Sequence, residues 1–417
     1  MISFPRTIRL CLASPLFFPT YGGSQLRFMG YFPGLRERAL DIRVFTGTPL
    51  AEDVPPGSAV DWSGVPDGRM LPEENIAGVP VRRVALPHKR GWRRTSVYNR
   101  ALMQYCLDPE HRPDVLQLVG TLRPQSIPML RKLRSLGIKV LYAVTVAPKK
   151  RTTRQWWSIR QYRELKLLSS VDCIVANNEP LRDFVRSRGV QTRVEVIPNG
   201  VDLQRFHPAG KTDEVELLRT SLGICKDDMM LLAVGAVMPR KGTDILIEAW
   251  AKLASRYPRL HLVLVGPRKD LEHPRLSEFR HRLENLVAAS GAADRVHFTG
   301  LRDDVAACYR AADIFVLPSN REGMPNSVLE AMASGVPVVV TPYIGLSSDI
   351  GNPQSQYLLS ERDADSLAET LERLVVDESL RMKLGQSGRE WVEQTMSLQS
   401  SLDRYAALYH ELSERTP

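Results

Sequence analysis

Five cysteines in 417 residues (Cys11, Cys106, Cys173, Cys225 and Cys308) are too few, too scattered and odd in number for a disulfide framework. None stands in a C-x-x-C pair, which argues against a zinc site and for reduced, buried thiols in a cytoplasmic protein. No segment has the length and uniform apolarity of a membrane span. At the N-terminus, Arg6 and Arg9 precede only a short apolar run broken by Ser14 and Pro15, which argues against a signal peptide. The chain also lacks a G-x-G-x-x-G fingerprint and a G-x-x-x-x-G-K-[ST] loop, which weakens dinucleotide and P-loop readings. No D-x-D-like metal clip stands at a suitable loop.

The length suits two domains of ordinary size, and 43% apolar with 25% charged residues is the composition of a globular protein. A formal net charge of +9 raises the question of an anionic partner. Two basic stretches concentrate it. The first holds Arg82, Arg83, Lys89, Arg90, Arg93, Arg94 and Arg100, with Trp92 and Tyr98 interleaved. The second runs from Lys149 through Lys150, Arg151, Arg154, Arg160, Arg163 and Lys166, around Trp156 and Trp157. A solvated helix face, an interfacial segment on an anionic membrane and a pocket for a phosphorylated acceptor all fit such a mixture. Nucleic acid fits less well, because no recognised binding module accompanies the charge.

Strands alternate with helical intervals along the whole chain. Ile8–Ala13, Ile42–Thr46, Asp114–Val119, Lys139–Val144, Asp172–Ala176 and Val194–Ile197 read as strands of a first parallel, doubly wound sheet. Gly22 and Gly23 stand directly before a helix running from about Ser24 toward Ala39, where a backbone without Cβ lets a ligand approach. Ala51 to Pro80, rich in Pro, Gly and Asp, reads as a long irregular excursion. Pro198-Asn199-Gly200-Val201-Asp202 ends this half in a turn. The pattern then restarts with strands at Met230–Val234, Leu260–Val265 and Arg295–Phe298, and a helix over Thr243–Ala254. Ligands of open α/β sheets bind beyond the carboxyl ends of strands, where Gly235, Gly266, Gly300 and Glu322 all fall.

The densest stretch is Arg321 to Gly335. Strand Ile314–Leu317 precedes it and Val336–Val340 follows it, with a helix between them that Asn326 or Ser327 would cap and Gly335 would close. Glu322 and Glu330 thus lie beside a helix N-terminus. Ionised carboxylates suit neighbouring hydroxyls, and helix termini suit phosphates, so a nucleotide-sugar matches both. A second reading stands beside it: Ser327 and Glu330 fit a capping box, with Glu322 an ordinary loop carboxylate.

Glu-x7-Glu within "EGMPNSVLEAMASGVPVV" resembles the donor-site motif of family 4 glycosyltransferases, which have the GT-B fold. The resemblance implies two Rossmann-like doubly wound domains facing across a cleft. It implies that Glu322 contacts the donor sugar or helps its departure, and that Glu330 holds the ribose hydroxyls. "VGAVMPRKGTDILIEAW" is similar to the family's donor-phosphate loop, with Lys241 at the lysine position. Such an ammonium would neutralise charge growing on the departing diphosphate. "IPNGVD" resembles the end of the family's first domain, and Gly22 and Gly23 match its Gly-rich loop in position and composition. Two positions depart from the family: Ala236 stands where an Arg is usual, with Arg240 nearby, and Thr145 stands where a His is frequent.

The resulting expectation is a retaining, metal-independent and cofactor-free glycosyltransferase. It would move a sugar from a nucleotide-sugar donor to a saccharide, lipid-linked or natural-product acceptor. Residues 1–205 would bind the acceptor, residues 206–390 the donor, and the segment 391–417 would pack back onto the first domain. Glu322 and Lys241 are the catalytic candidates. Gly22, Gly23, Gly235, Arg240, Gly266, Leu301, Gly323, Met324, Pro325, Asn326, Ser327 and Glu330 are the donor-binding ones. Peripheral contact with the inner face of an anionic membrane is a further expectation, and nucleic acid is not an expected partner. A non-catalytic nucleotide- or sugar-binding protein and a nucleotide-sugar hydrolase or epimerase are the alternatives.

Overall fold

A computed structural model describes residues 6–20, 23–50, 64–89, 91–120, 122–145, 157–210, 213–268 and 276–414. The chain forms two compact units, one of residues 1–199 with 399–417 and one of residues 200–398. Each is an α/β sandwich around its own sheet.

The first unit carries eight strands: β1 (Ile8–Ser14), β2 (Leu40–Gly47), β3 (Glu74–Ile76), β4 (Val79–Val84), β5 (Val115–Val119), β6 (Lys139–Val144), β7 (Cys173–Ala176) and β8 (Arg193–Val196). Their order is β3-β4-β2-β1-β5-β6-β7-β8. All pairs are parallel except β3 with β4. The central strands are Val, Ile and Leu runs buried on both faces, as a sheet with helices on either side requires.

Part of the stretch expected to be irregular is therefore ordered sheet. β4 was masked in the sequence by Arg82 and Arg83, which stand at the start of the first basic stretch. Arg83 is in fact fully buried, donating to Glu74 Oε1 at 2.8 Å and to the Phe18 carbonyl at 2.8 Å. Residues 51–63 and most of the second basic stretch lie outside the described residues.

The second unit holds β9 (Met229–Val234), β10 (Leu260–Val265), β11 (Val296–Gly300), β12 (Ile314–Leu317), β13 (Val338–Val340) and β14 (Leu358–Leu359). The order is β11-β10-β9-β12-β13-β14, and every pair is parallel. β13 starts later than the apolar run suggests, because Gly335 takes φ +72° and Pro337 follows it. In each sheet the strand order reverses once about a central pair, β1 with β5 in the first and β9 with β12 in the second. A crevice opens at such switch points beyond the carboxyl ends of the strands.

The last helix, Leu398–Glu414, belongs to the first unit, where Tyr405 and Tyr409 are fully buried and Arg193 makes a two-pronged bond to Glu411 at 2.7 and 2.8 Å. Among the described residues no helix is long and apolar enough to cross a membrane.

Candidate functional site

Two loops of the second unit meet at its switch point. The first leaves β9 at Gly235 and runs through Ala236, Arg240 and Lys241 into the helix Thr243–Ala254. The second leaves β12 at Pro318 and runs through Ser319 and Glu322 into the helix Asn326–Ala333. Gly242 lets them close on each other. It adopts φ +69°, and a Cβ there would lie 2.2 Å from the Pro318 carbonyl oxygen. The Asn320 N–H, in turn, donates to the Arg240 carbonyl at 3.0 Å.

Glu322 is the centre of the resulting cluster, only 7% exposed. Its Oε1 accepts from Ser319 Oγ at 2.6 Å and pairs with Lys241 Nζ at 2.8 Å and Arg240 Nη1 at 2.9 Å. Burial opposes its charge, but the two cations and these bonds outweigh burial and hold the carboxyl below its usual range. One carboxylate against two cations leaves the cluster with a net positive charge. Arg240 also donates to the Arg321 carbonyl at 2.7 Å, which fixes the guanidinium over the second loop.

Glu330 has another environment. Its Oε2 accepts from Tyr309 Oη at 2.7 Å, and burial raises its pKa against the help of that bond and of the Arg205 and Lys241 charges. The capping-box alternative is not what forms: Pro325 occupies the cap position and no side chain caps the helix, so neither Asn326 nor Ser327 plays that part. Gly323, Met324 and Pro325 are buried between the carboxylates, and Asn326 and Ser327 are half-buried at the helix start. Gly235 and Gly266 donate backbone N–H groups to Val265 and Gly300, each at 2.8 Å, linking three strand ends.

A shallow crevice lined by Gly235, Ala236, Lys241, Thr243 and Pro318 lies along the first loop. Leu301 is exposed just past β11, and Thr145 follows β6 in the first unit. Gly23 is the exposed first residue of the helix Gly23–Arg36 in the first unit, and Gly22 lies outside the described residues.

Ser319 and Tyr309 are the contributors that sequence reasoning missed. Ser319, directly after the Pro318 that ends β12, had a readable signal in its place at a strand end. Tyr309 had none, because in "ACYRAADIFV" it reads as core.

The sequence model described as "Glycosyl transferases group 1" matches residues 214–391, and that of a "Glycosyl transferase 4-like domain" matches residues 22–200. A D-inositol 3-phosphate glycosyltransferase of Salinispora arenicola is 37% identical over 240 residues, 54% of this chain and 52% of that protein. The chain spans between about half and two thirds of the length of the curated relatives it matches at 30–37% identity. Among solved structures, sucrose-phosphate synthase from Thermosynechococcus elongatus superposes with a TM-score of 0.75 at 23% identity, covering 97% of this chain and 99% of that one. Anabaena HepE in complex with UDP and glucose gives a TM-score of 0.73 at 17% identity, covering 96% and 99%. At these identities the likeness is one of fold. Matched by family models in each half, and folded as these structures are, the chain belongs to the family 4-like glycosyltransferases of GT-B fold.

Proposed function

We propose that the protein transfers a sugar from a nucleotide-sugar donor to an acceptor hydroxyl, with the donor held by the second unit. In that step the bond from the anomeric carbon to the diphosphate breaks and the nucleoside diphosphate departs. The acceptor oxygen bonds the anomeric carbon and passes its proton to the departing diphosphate. The observation that carries the reading is the net-positive Lys241–Arg240–Glu322 cluster at the β9/β12 switch point. Lys241 and Arg240 would neutralise charge on the leaving diphosphate without a metal ion, and Arg240 would stand in for the arginine absent at Ala236. Ser319, Arg240 and Lys241 all bond Oε1 of Glu322, so Oε2 would face the donor-sugar hydroxyls. Glu330, oriented by Tyr309, would take the ribose. That one solved neighbour holds UDP and glucose agrees with this class of donor.

Retention of anomeric configuration is part of the proposal. Incubation with a panel of nucleotide-sugars, with and without acceptors, tests the reading through nucleotide release, and NMR of the product's anomeric signal tests retention. Acceptor-dependent release is expected. Release without acceptor would instead make the protein a hydrolase, and silence across the panel would make it a binding protein. Activity unchanged by EDTA is expected, and its loss, restored by Mg2+ or Mn2+, would overturn the metal-free step.

Peripheral attachment to an anionic membrane through the first unit belongs to the same proposal. Trp92 is 69% exposed at a helix start beside exposed Arg93 and Lys89. Sedimentation with anionic vesicles should be lost in Trp92→Ala and at high salt, and binding insensitive to both would count against it.

A further inference from the structure

A cavity much larger than the crevice beside Lys241 lies away from the Lys241–Glu322 cluster. It lies wholly in the first unit, at that sheet's own switch point, between the ends of β1 (Ala13, Ser14) and β5 (Leu118, Val119). Its volume is about 280 Å³, close to the lower bound of roughly 300 Å³ for small-molecule pockets. The helix Trp92–Leu107 forms one wall, contributing Arg94, Thr95, Tyr98, Asn99 and Leu102.

The chemistry of the lining is selective. Leu16, Leu50, Leu86, Leu102, Leu118 and Met129 make most of the wall apolar. Most polar groups among the lining residues already bond within the protein. Tyr98 Oη donates to the Phe45 carbonyl at 3.3 Å, Arg94 to the Pro87 carbonyl at 2.6 Å, and Asn99 Nδ2 to Ser126 Oγ at 3.1 Å. No described lining residue is acidic, and the charged ones, Arg94 and Arg123, are both arginines. Arg123 is exposed and has no carboxylate partner among the described residues.

A free sugar, with a hydroxyl on nearly every carbon, would leave its hydroxyls unpaired against such walls, at a cost for each one desolvated. An apolar chain or ring would fill the space favourably, and an anionic group on it would meet a guanidinium at the rim.

We propose that this cavity is the acceptor subsite and that it takes an amphiphile: an apolar group seated among the leucines with a phosphate or carboxylate at Arg123. The inference rests on the glycosyltransferase reading and narrows its acceptor to molecules with an apolar body. Such a group could belong to a membrane lipid or to a soluble alkyl or aryl phosphate, and the two sources share the recognition chemistry.

Calorimetric titration of the full chain with octyl phosphate below its micellar concentration, octanol, glucose 6-phosphate and UDP tests it. Octyl phosphate should bind with a negative heat-capacity change, at least tenfold more tightly than glucose 6-phosphate. Thr95→Trp, which fills the cavity from a half-buried position, should weaken octyl phosphate and octanol tenfold or more while leaving UDP binding intact. Arg123→Gln should weaken octyl phosphate but not octanol. Glucose 6-phosphate binding as tightly as octyl phosphate, or octyl phosphate binding unchanged in Thr95→Trp, would overturn the proposal. Failure of UDP alone to bind would sink the donor reading while leaving the cavity's preference standing. Sedimentation with phosphatidic acid vesicles separates the sources: Thr95-dependent sedimentation assigns the subsite to a lipid headgroup, and octyl phosphate binding without it to a soluble phosphate.

Discussion

Three donors converge on one oxygen of Glu322, and this makes its neighbours separable by mutation. Lys241→Ala leaves Arg240 and Ser319 in place, so the buried carboxylate keeps partners and the second unit should stay folded by circular dichroism. Turnover should nevertheless drop by about 10²–10³, the usual loss for one preorganised electrostatic donor. Glu322→Gln should show a similar drop, and near-normal kcat in both variants would remove these residues from the chemistry. Tyr309→Phe tests Glu330. Deleting the hydroxyl takes a bond from a carboxylate already disfavoured by burial, at about 1–3 kcal/mol of stability. Nucleotide should then bind more weakly in calorimetry, with kcat at saturating donor nearly unchanged. Gly345 offers a third test. It adopts φ +104°, and a Cβ there would sit 2.4 Å from the Glu322 carbonyl oxygen. Gly345→Ala should therefore displace the Glu322 loop and lower kcat without altering any charge.

At the scale of elements, strands were readable wherever burial made them continuous apolar runs. Lys139–Val144, Leu260–Val265 and Ile314–Leu317 are predicted to the residue, and so is the helix Thr243–Ala254. β4 was not readable, because Arg83 hides its charge inside through Glu74, a partner nine residues away that only the fold brings close. The two glutamates of the second unit were picked out in the sequence by their place beside a helix N-terminus and by the family motif they resemble. Their different environments were not, since Tyr309 and Arg240 reach them from other elements. His261 lies on β10 and His297 on β11. In the sheet they stack with centroids 5.4 Å apart, and His261 Nδ1 lies 3.1 Å from His297 Nε2, with Asp228 3.5 Å from the outer nitrogen of His261. Burial lowers both pKa values below the ordinary 6.5, and for His297 its neighbour adds to the effect. The unfolded chain therefore binds protons that the native pair refuses, so stability is full above about pH 6.5 and is lost as pH falls through the lowered native values. The denaturation midpoint of the second unit should decline between pH 7 and pH 5, and His261→Asn with His297→Asn should flatten that decline.

For the whole molecule, part of the positive charge is structural. Arg83, Arg94, Arg219, Arg295 and Arg389 donate to backbone carbonyls, so a net charge of +9 overstates the surface available to an anionic partner. The chain also leaves the first unit after residue 199 and returns to it at residue 399, where its final helix supplies core. Outgoing and returning segments run side by side within the second unit: the Val201 N–H donates to Met396 at 2.9 Å, and the Leu398 N–H donates to Val201 at 3.0 Å. Stability of the first unit therefore depends on residues nearly 400 positions from its first strand. Tyr409 is fully buried, stacks obliquely on Tyr405 at 5.9 Å and bonds the buried Gln117 of β5 through its hydroxyl. Tyr409→Ala should cost the first unit about 3–5 kcal/mol, the usual loss for truncating a buried aromatic. That is a large part of a typical domain's stability of roughly 5–15 kcal/mol. With two cores the chain need not melt as one, and calorimetry should show the transition of the first unit moving down while that of the second stays. UDP binding should persist in this variant at 20 °C, and its loss together with a drop in both transitions would show that the last helix also sustains the donor-binding half.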